Sequence, residues 1–127
     1  MDLYELPFAK IIILSDDIAE VMINDGIDMD IKMVNKYHDF LLSHLNNPFS
    51  LLINKVNSYA YTGDAQNKLA TLKEINAMAI VSYNRVTTSV TEGLALMHEE
   101  DWHLKIFNDR SVALKWLESE QYKVKQT

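Results

Sequence analysis

The stretch LLINKVNSYAYTGDAQNKLATL, residues 51–72, decides how this chain is built. Leu51-Leu52-Ile53 is a short apolar run of the kind that forms a buried strand. Leu69, Leu72 and Ile75 follow at three-residue spacing, which predicts a short helix. Between them lie Ser58, Tyr59, Tyr61, Thr62, Gly63 and Asp64, with the small, polar and glycine chemistry of a turn. Strand, turn and helix in succession form the repeating unit of an α/β sheet.

The same alternation continues on both sides. Downstream, AMAIVSY (77–83) is nearly continuous apolar sequence, as expected of a strand covered on both faces. Val86, Val90, Leu94 and Met97 predict a third helix with that stripe turned inward and Gly93 inside it. Leu104–Phe107 predicts a last strand. Asp109 caps a final helix whose apolar face is Val112, Ala113, Trp116 and Leu117, and residues 119–127 read as a fraying tail. Upstream, 49–56 completes the strand that opens the quoted stretch. Before it, Ile27, Ile31, Val34, His38, Leu41 and Leu45 line one face of a first helix, widened by Met33, Tyr37 and Phe40. Asp28 or Asp30 caps that helix, and Asn46-Asn47-Pro48 stops it. Ala9–Leu14 and Ile18–Ile23, joined by Ser15-Asp16-Asp17, read as a hairpin, and Gly26 supplies the positive φ of the exit.

The predicted order is β-β-α-β-α-β-α-β-α. That is an α/β sandwich with a mixed five-stranded sheet, an antiparallel hairpin at its N-terminal edge and four helices. The 127 residues fit one domain, with its core at about 8–120. A chain of this size buries roughly two thirds of its unfolded surface. The absence of cysteine removes disulfides and thiolate chemistry and points to a reducing, cytoplasmic setting. No apolar run is long enough to cross a bilayer. A net charge of -6, with only Lys123 and Lys125 in loose array, leaves neither nucleic acid nor an anionic membrane as the expected partner.

The residues that carry chemistry are sparse. His38 and His44 are six positions apart on one helix, about 240° around it, so they cannot share an ion. His98 and His103 flank Glu99, Glu100 and Asp101, but at no recognised ligand spacing, and no metal or cofactor is expected. No serine sits in a nucleophile elbow, and the three glycines are too scattered for a phosphate loop, so a non-catalytic protein is expected. Tyr83, Arg85, Thr87 and Thr88 fall at the C-terminal end of the most apolar strand, where open α/β sheets bind ligands, and form a candidate anion site. Against it stands a plain helix cap with a solvent-facing arginine. Tyr59 and Tyr61 fall on one side of an extended segment, as a two-ring patch suited either to an interface or to packing over helix ends.

The element order and the strand-turn-helix at 51–72 resemble the STAS domain, the SpoIIAA-like fold of anti-sigma-factor antagonists, to which CRAL-TRIO lipid-binding domains are related. The resemblance implies a bacterial regulatory domain acting through protein contacts, with a partner protein or a second copy of the chain. It places the partner-binding face at Ser58, Tyr59, Tyr61, Thr62, Gly63 and Asp64. In that family a kinase phosphorylates a serine at this turn; here Gly63 stands in its place with Asp64 beside it, so the switch is expected to be absent. The alternative that the resemblance offers is a small-molecule or lipid-binding module, with a pocket beneath the second and third helices. An exposed Tyr59/Tyr61 patch favours the interface; an apolar cavity containing an unmatched polar group favours the pocket.

Overall fold

The structure is a computed structural model that describes residues 2–100 and 102–126. Its strands are β1 (Asp2–Leu6), β2 (Ala9–Ser15), β3 (Ile18–Ile23), β4 (Asp28–Met29), β5 (Phe49–Asn54), β6 (Ala60–Tyr61), β7 (Ile75–Val81) and β8 (Leu104–Phe107). Its helices are α1 (Ile31–His44), α2 (Gly63–Lys68), α3 (Arg85–Met97) and α4 (Arg110–Lys125). The main sheet runs β1-β2-β3-β5-β7-β8. The first three strands are antiparallel, and the β3/β5, β5/β7 and β7/β8 pairs are parallel. The mixed α/β architecture, the N-terminal hairpin and the four helices are as the sequence predicts, but the sheet has six strands rather than five. The added strand is β1, which pairs along its whole length with β2 while keeping most of its side chains in solvent. Backbone pairing without burial leaves little hydrophobic pattern to read, so the folded unit begins well before residue 8.

Successive residues of a strand point to opposite faces, and β5 and β7 use both. Leu51 and Met78 join Val34, Tyr37 and Leu41 of α1 and Ala65 of α2 in one core. Leu52, Ala77, Ala79 and Val81 meet Ala113 and Leu117 of α4 in another. This two-sided burial explains why residues 77–81 read as an unbroken apolar run.

The helix starts follow the capping chemistry. Asp30, Asn84 and Asp109 each accept a hydrogen bond from the backbone N–H three residues on, at Met33, Thr87 and Val112. Asp28, the other candidate for the first cap, lies in β4 instead. Gly26 has φ 76°, the conformation expected of it.

Three expectations change. The second helix is Gly63–Lys68, not the Leu69–Ile75 pattern. Its end is set by tertiary contacts, because Ala70 adopts φ 51° with its N–H donating to His38 Nε2 and its C=O accepting from Trp102 Nε1. Of the stripe on α3 only Leu94 is buried: Val86, Val90 and Met97 are exposed, and the other buried residue of α3 is Thr91. On α4, Val112 is likewise exposed. Finally, residues 119–126 are not a tail, since α4 continues to Lys125 and buries Glu120 and Gln121.

Gln121 fastens that end of α4. Its amide nitrogen donates to Asp17 Oδ2 at 2.9 Å and to the Pro48 carbonyl at 3.0 Å, while its oxygen accepts from Ser50 and Asn76. Lys125 pairs with the same Asp17 at 2.7 Å. Burial alone would raise the Asp17 pKa, but hydrogen bonds from Lys125, Gln121 and Ser15 outweigh it and hold the carboxyl below its usual range. Gln121→Ala removes the partner of the buried Ser50 hydroxyl and of the Pro48 carbonyl. Orphaning such groups costs about 1–3 kcal/mol each, so urea denaturation is expected to show a loss of roughly 2 kcal/mol or more. A frayed tail would give a change within about 0.5 kcal/mol.

Candidate functional site

The turn in the quoted stretch is held by its main chain. Gly26 N–H donates to the Ser58 carbonyl, Ala60 N–H to that of Ile27, and Thr62 N–H to that of Met29. These bonds lay β6 alongside β4 in a two-stranded parallel sheet. The Asp25 carboxylate accepts from Ser58 N–H, and the Asn57 amide donates to the Ile23 carbonyl. Within this frame Ala60 points outward, and Tyr59 and Tyr61 share the other side, as alternation requires.

That side is the interior. Both rings pack against the core, edge to face with centroids 5.5 Å apart. The exposed two-ring patch is therefore not present, and the six candidate partner-binding residues do not form one surface. Ser58, Gly63 and Asp64 are exposed, Thr62 is half-buried, and the tyrosines turn away from them. The Thr62 hydroxyl opens α2 without accepting a backbone N–H; it donates to Asp64, which itself accepts from Ala65 N–H. These bonds, the Thr62 hydroxyl foremost, hold the Asp64 carboxyl below its usual range.

The tyrosines close an apolar cavity of about 40 Å³ between the sheet and the α2–α3 side, walled by Ile23, Met29, Ile53, Ile80, Leu94 and Trp102. Polar groups are few in its wall. The Thr91 hydroxyl is committed to the Thr87 carbonyl, and the remaining ones are the phenols and Lys55. Lys55 is only 9% exposed. Its Nζ sits 5.2 Å from the Tyr59 ring centroid and 5.9 Å from that of Tyr61. No carboxylate pairs with it among the described residues. Burial pulls its pKa down to about 8. The same burial pushes Tyr59 up to about 12 and raises Tyr61 well above its ordinary value.

Of the candidate anion-site residues, Tyr83, Arg85 and Thr88 lie together at one depression, but most of their polar groups are engaged within the fold. Asn84 caps α3, the Thr88 hydroxyl bonds to Asn84 O and Ser82, and Thr87 offers its N–H to the cap, which leaves Arg85 in solvent. Tyr83, Arg85 and Thr88 border an open depression that also contains Glu92, whose carboxylate opposes an anion. Tyr83 belongs to a different group: its hydroxyl donates to Asn54, and Asn54 donates to Glu20. Glu20, buried on the α4 side, receives both Nε and Nη2 of Arg110 at 2.6–3.1 Å. Burial pushes the Glu20 carboxyl up, but Arg110 and Asn54 outweigh it and hold it low.

The histidines are dispersed. His98 stacks on Trp102 and bonds to the Gln66 carbonyl, and His103 pairs with Glu120 at 3.1 Å. His44 stacks on Phe40. Asp101 lies outside the described residues; among those described, no three metal-ligating side chains cluster. His38 is buried and accepts the Ala70 N–H through Nε2.

The fold and site together define a mixed α/β domain with one lysine-bearing apolar cavity on the α2–α3 side of its sheet. The chain belongs to the family described as Domain of unknown function (DUF7793), which matches residues 12–121. No curated protein and no solved structure matches it significantly. No helix among the described residues is long and apolar enough to cross a membrane.

Burial, aided by the nearby Lys68 charge and opposed by Asp39, lowers the His38 pKa from 6.5 to about 4. The folded state holds this ring neutral while the unfolded chain protonates it near 6.5. Its stability contribution is therefore complete above pH 6.5 and is lost as pH falls toward 4, a total of about 3 kcal/mol. Urea midpoints measured from pH 7 to 4 are expected to fall across that window. His38→Gln, which can accept the same N–H, is expected to flatten the decline. An equally steep curve for the variant would assign the acid sensitivity elsewhere.

Proposed function

We propose that this chain is a non-catalytic binding module whose site is the cavity between the sheet and the α2–α3 side, and whose ligand is a small or lipid-like molecule with an apolar body. The observation that carries this reading is the inward turn of Tyr59 and Tyr61, over a cavity that holds a lysine amine with no counter-charge. Burying a charged group without a partner is costly, and such groups concentrate at functional sites. The cavity of about 40 Å³ is far smaller than the roughly 300–1,000 Å³ typical of ligand pockets. Binding therefore requires a wall to move, and α3, a 13-residue helix with only two buried side chains, is a weakly anchored one. This is the CRAL-TRIO-like branch of the resemblance, and it suits a cytoplasmic carrier or sensor.

Indole serves as the probe. Titrated into 15N-labelled protein, it is expected to give saturable shifts at the amides of Met78, Ile80 and Leu94, and Leu94→Trp, which fills the space, is expected to abolish them. The absence of saturable shifts, or shifts spread over the outer surface, would reject the cavity as a site.

A second reading, interaction with a copy of the chain, is favoured by the solvent-facing stripe on α3. Val86 is 75% exposed, and Val90 and Met97 are over half exposed, at helical spacing on one side. Here the contact face moves from the turn to α3, and Gly63 with Asp64 still implies no phosphoserine switch. Sedimentation is expected to show a dimer that Val90→Glu converts to monomer; a monomer at all concentrations removes this reading.

A further inference from the structure

We propose that Lys55 is the head-group anchor of the cavity, and that the ligand is an amphiphilic monocarboxylate whose acid pairs with the Lys55 ammonium while its apolar chain enters between the sheet and α3. This rests on the cavity reading and specifies its ligand. Three observations carry it. Lys55 is nine-tenths buried, lies at the end of β5 and lines both the cavity and an adjoining surface depression with Asp25 and Ser58, so its amine stands between apolar interior and solvent. The nearest carboxylate along that depression, Asp25, is engaged by Ser58 N–H and forms no ion pair with Lys55. The two phenol rings beside the amine supply π-faces and hydroxyls, but no neutralising charge. One amine balances one negative charge, which fits a carboxylate better than a phosphate dianion. Beyond the amine and the phenol hydroxyls the wall is apolar or committed, so the body of the ligand is mainly hydrocarbon.

Octanoate, 1-octanol and octylammonium share a chain and differ in the head. Calorimetry at neutral pH is expected to rank them in that order on the unmodified protein, with octanoate at least about tenfold tighter than the alcohol. The chain's net charge of -6 favours the cation at long range, so a preference for the acid reports on a local positive group. Lys55→Met, which keeps an apolar stem of similar length, is expected to lose the preference and bind octanoate no more tightly than 1-octanol. Equal binding of all three by the unmodified protein, or tighter binding of octylammonium, would overturn the anchor but leave the cavity standing. A preference for octanoate that survives in Lys55→Met would overturn the anchor too. Binding of none of them up to the millimolar range would reject the cavity and the anchor together. If Lys55→Met fails to fold, Lys55→Gln serves in its place, and the ranking on unmodified protein can still reject the anchor without either variant.

Discussion

Helix α4 is the cover that allows β5 and β7 to be buried on both faces, and polar contacts at its ends fix where it lies. Its fully buried apolar side chains are Ala113 and Leu117, one small and one large. At its N-terminus Arg110 grips the buried Glu20 of β3 with two nitrogens. Near its C-terminus Gln121 reaches Asp17, Pro48 and Ser50. A forked guanidinium–carboxylate pair and a fully satisfied amide fix direction and register in a way that two apolar contacts cannot. Among the described residues no side-chain polar atom fully shut off from solvent is left without a partner, so these networks rigidify the α4 side.

The opposite face is built differently. There α1 packs Val34, Tyr37 and Leu41 tightly into the core, and His38 ties α1 to the turn after α2. α3 lies over the other end of that face with little apolar anchorage and leaves a gap beneath it. The sheet thus has a rigid side and a yielding one, and the cavity lies on the yielding side. A fold divided in this way can open locally on one side while the other stays intact.

How far the sequence could be read depended on whether the pattern came from burial or from tertiary accidents. The β3 and β8 boundaries, the α/β alternation and the caps at Asp30 and Asp109 were legible because periodicity and capping are local. β1 was not, because a strand that buries little writes no pattern. The second helix was misplaced because Leu69, Leu72 and Ile75 owe their spacing to a turn held by His38 and Trp102. On α3 three of the four residues of an apolar stripe of correct period face solvent and only Leu94 is buried, a difference that no single-helix pattern can show. At the site, the shared side of Tyr59 and Tyr61 was legible, but its inward direction was not, since that is set by the pairing of β6 with β4. Lys55 was overlooked although a signal existed: it continues the parity of Leu51 and Ile53, which face the cavity core.

The bonds that hold residues 57–62 in place have a consequence for the cavity. Most of them are made by backbone atoms, at Ser58, Ala60 and Thr62, rather than by the rings that line the cavity. The course of the loop is therefore nearly independent of which side chains occupy 59 and 61. Substitution at those two positions can therefore alter the shape and polarity of the cavity wall while the frame that carries it stays the same.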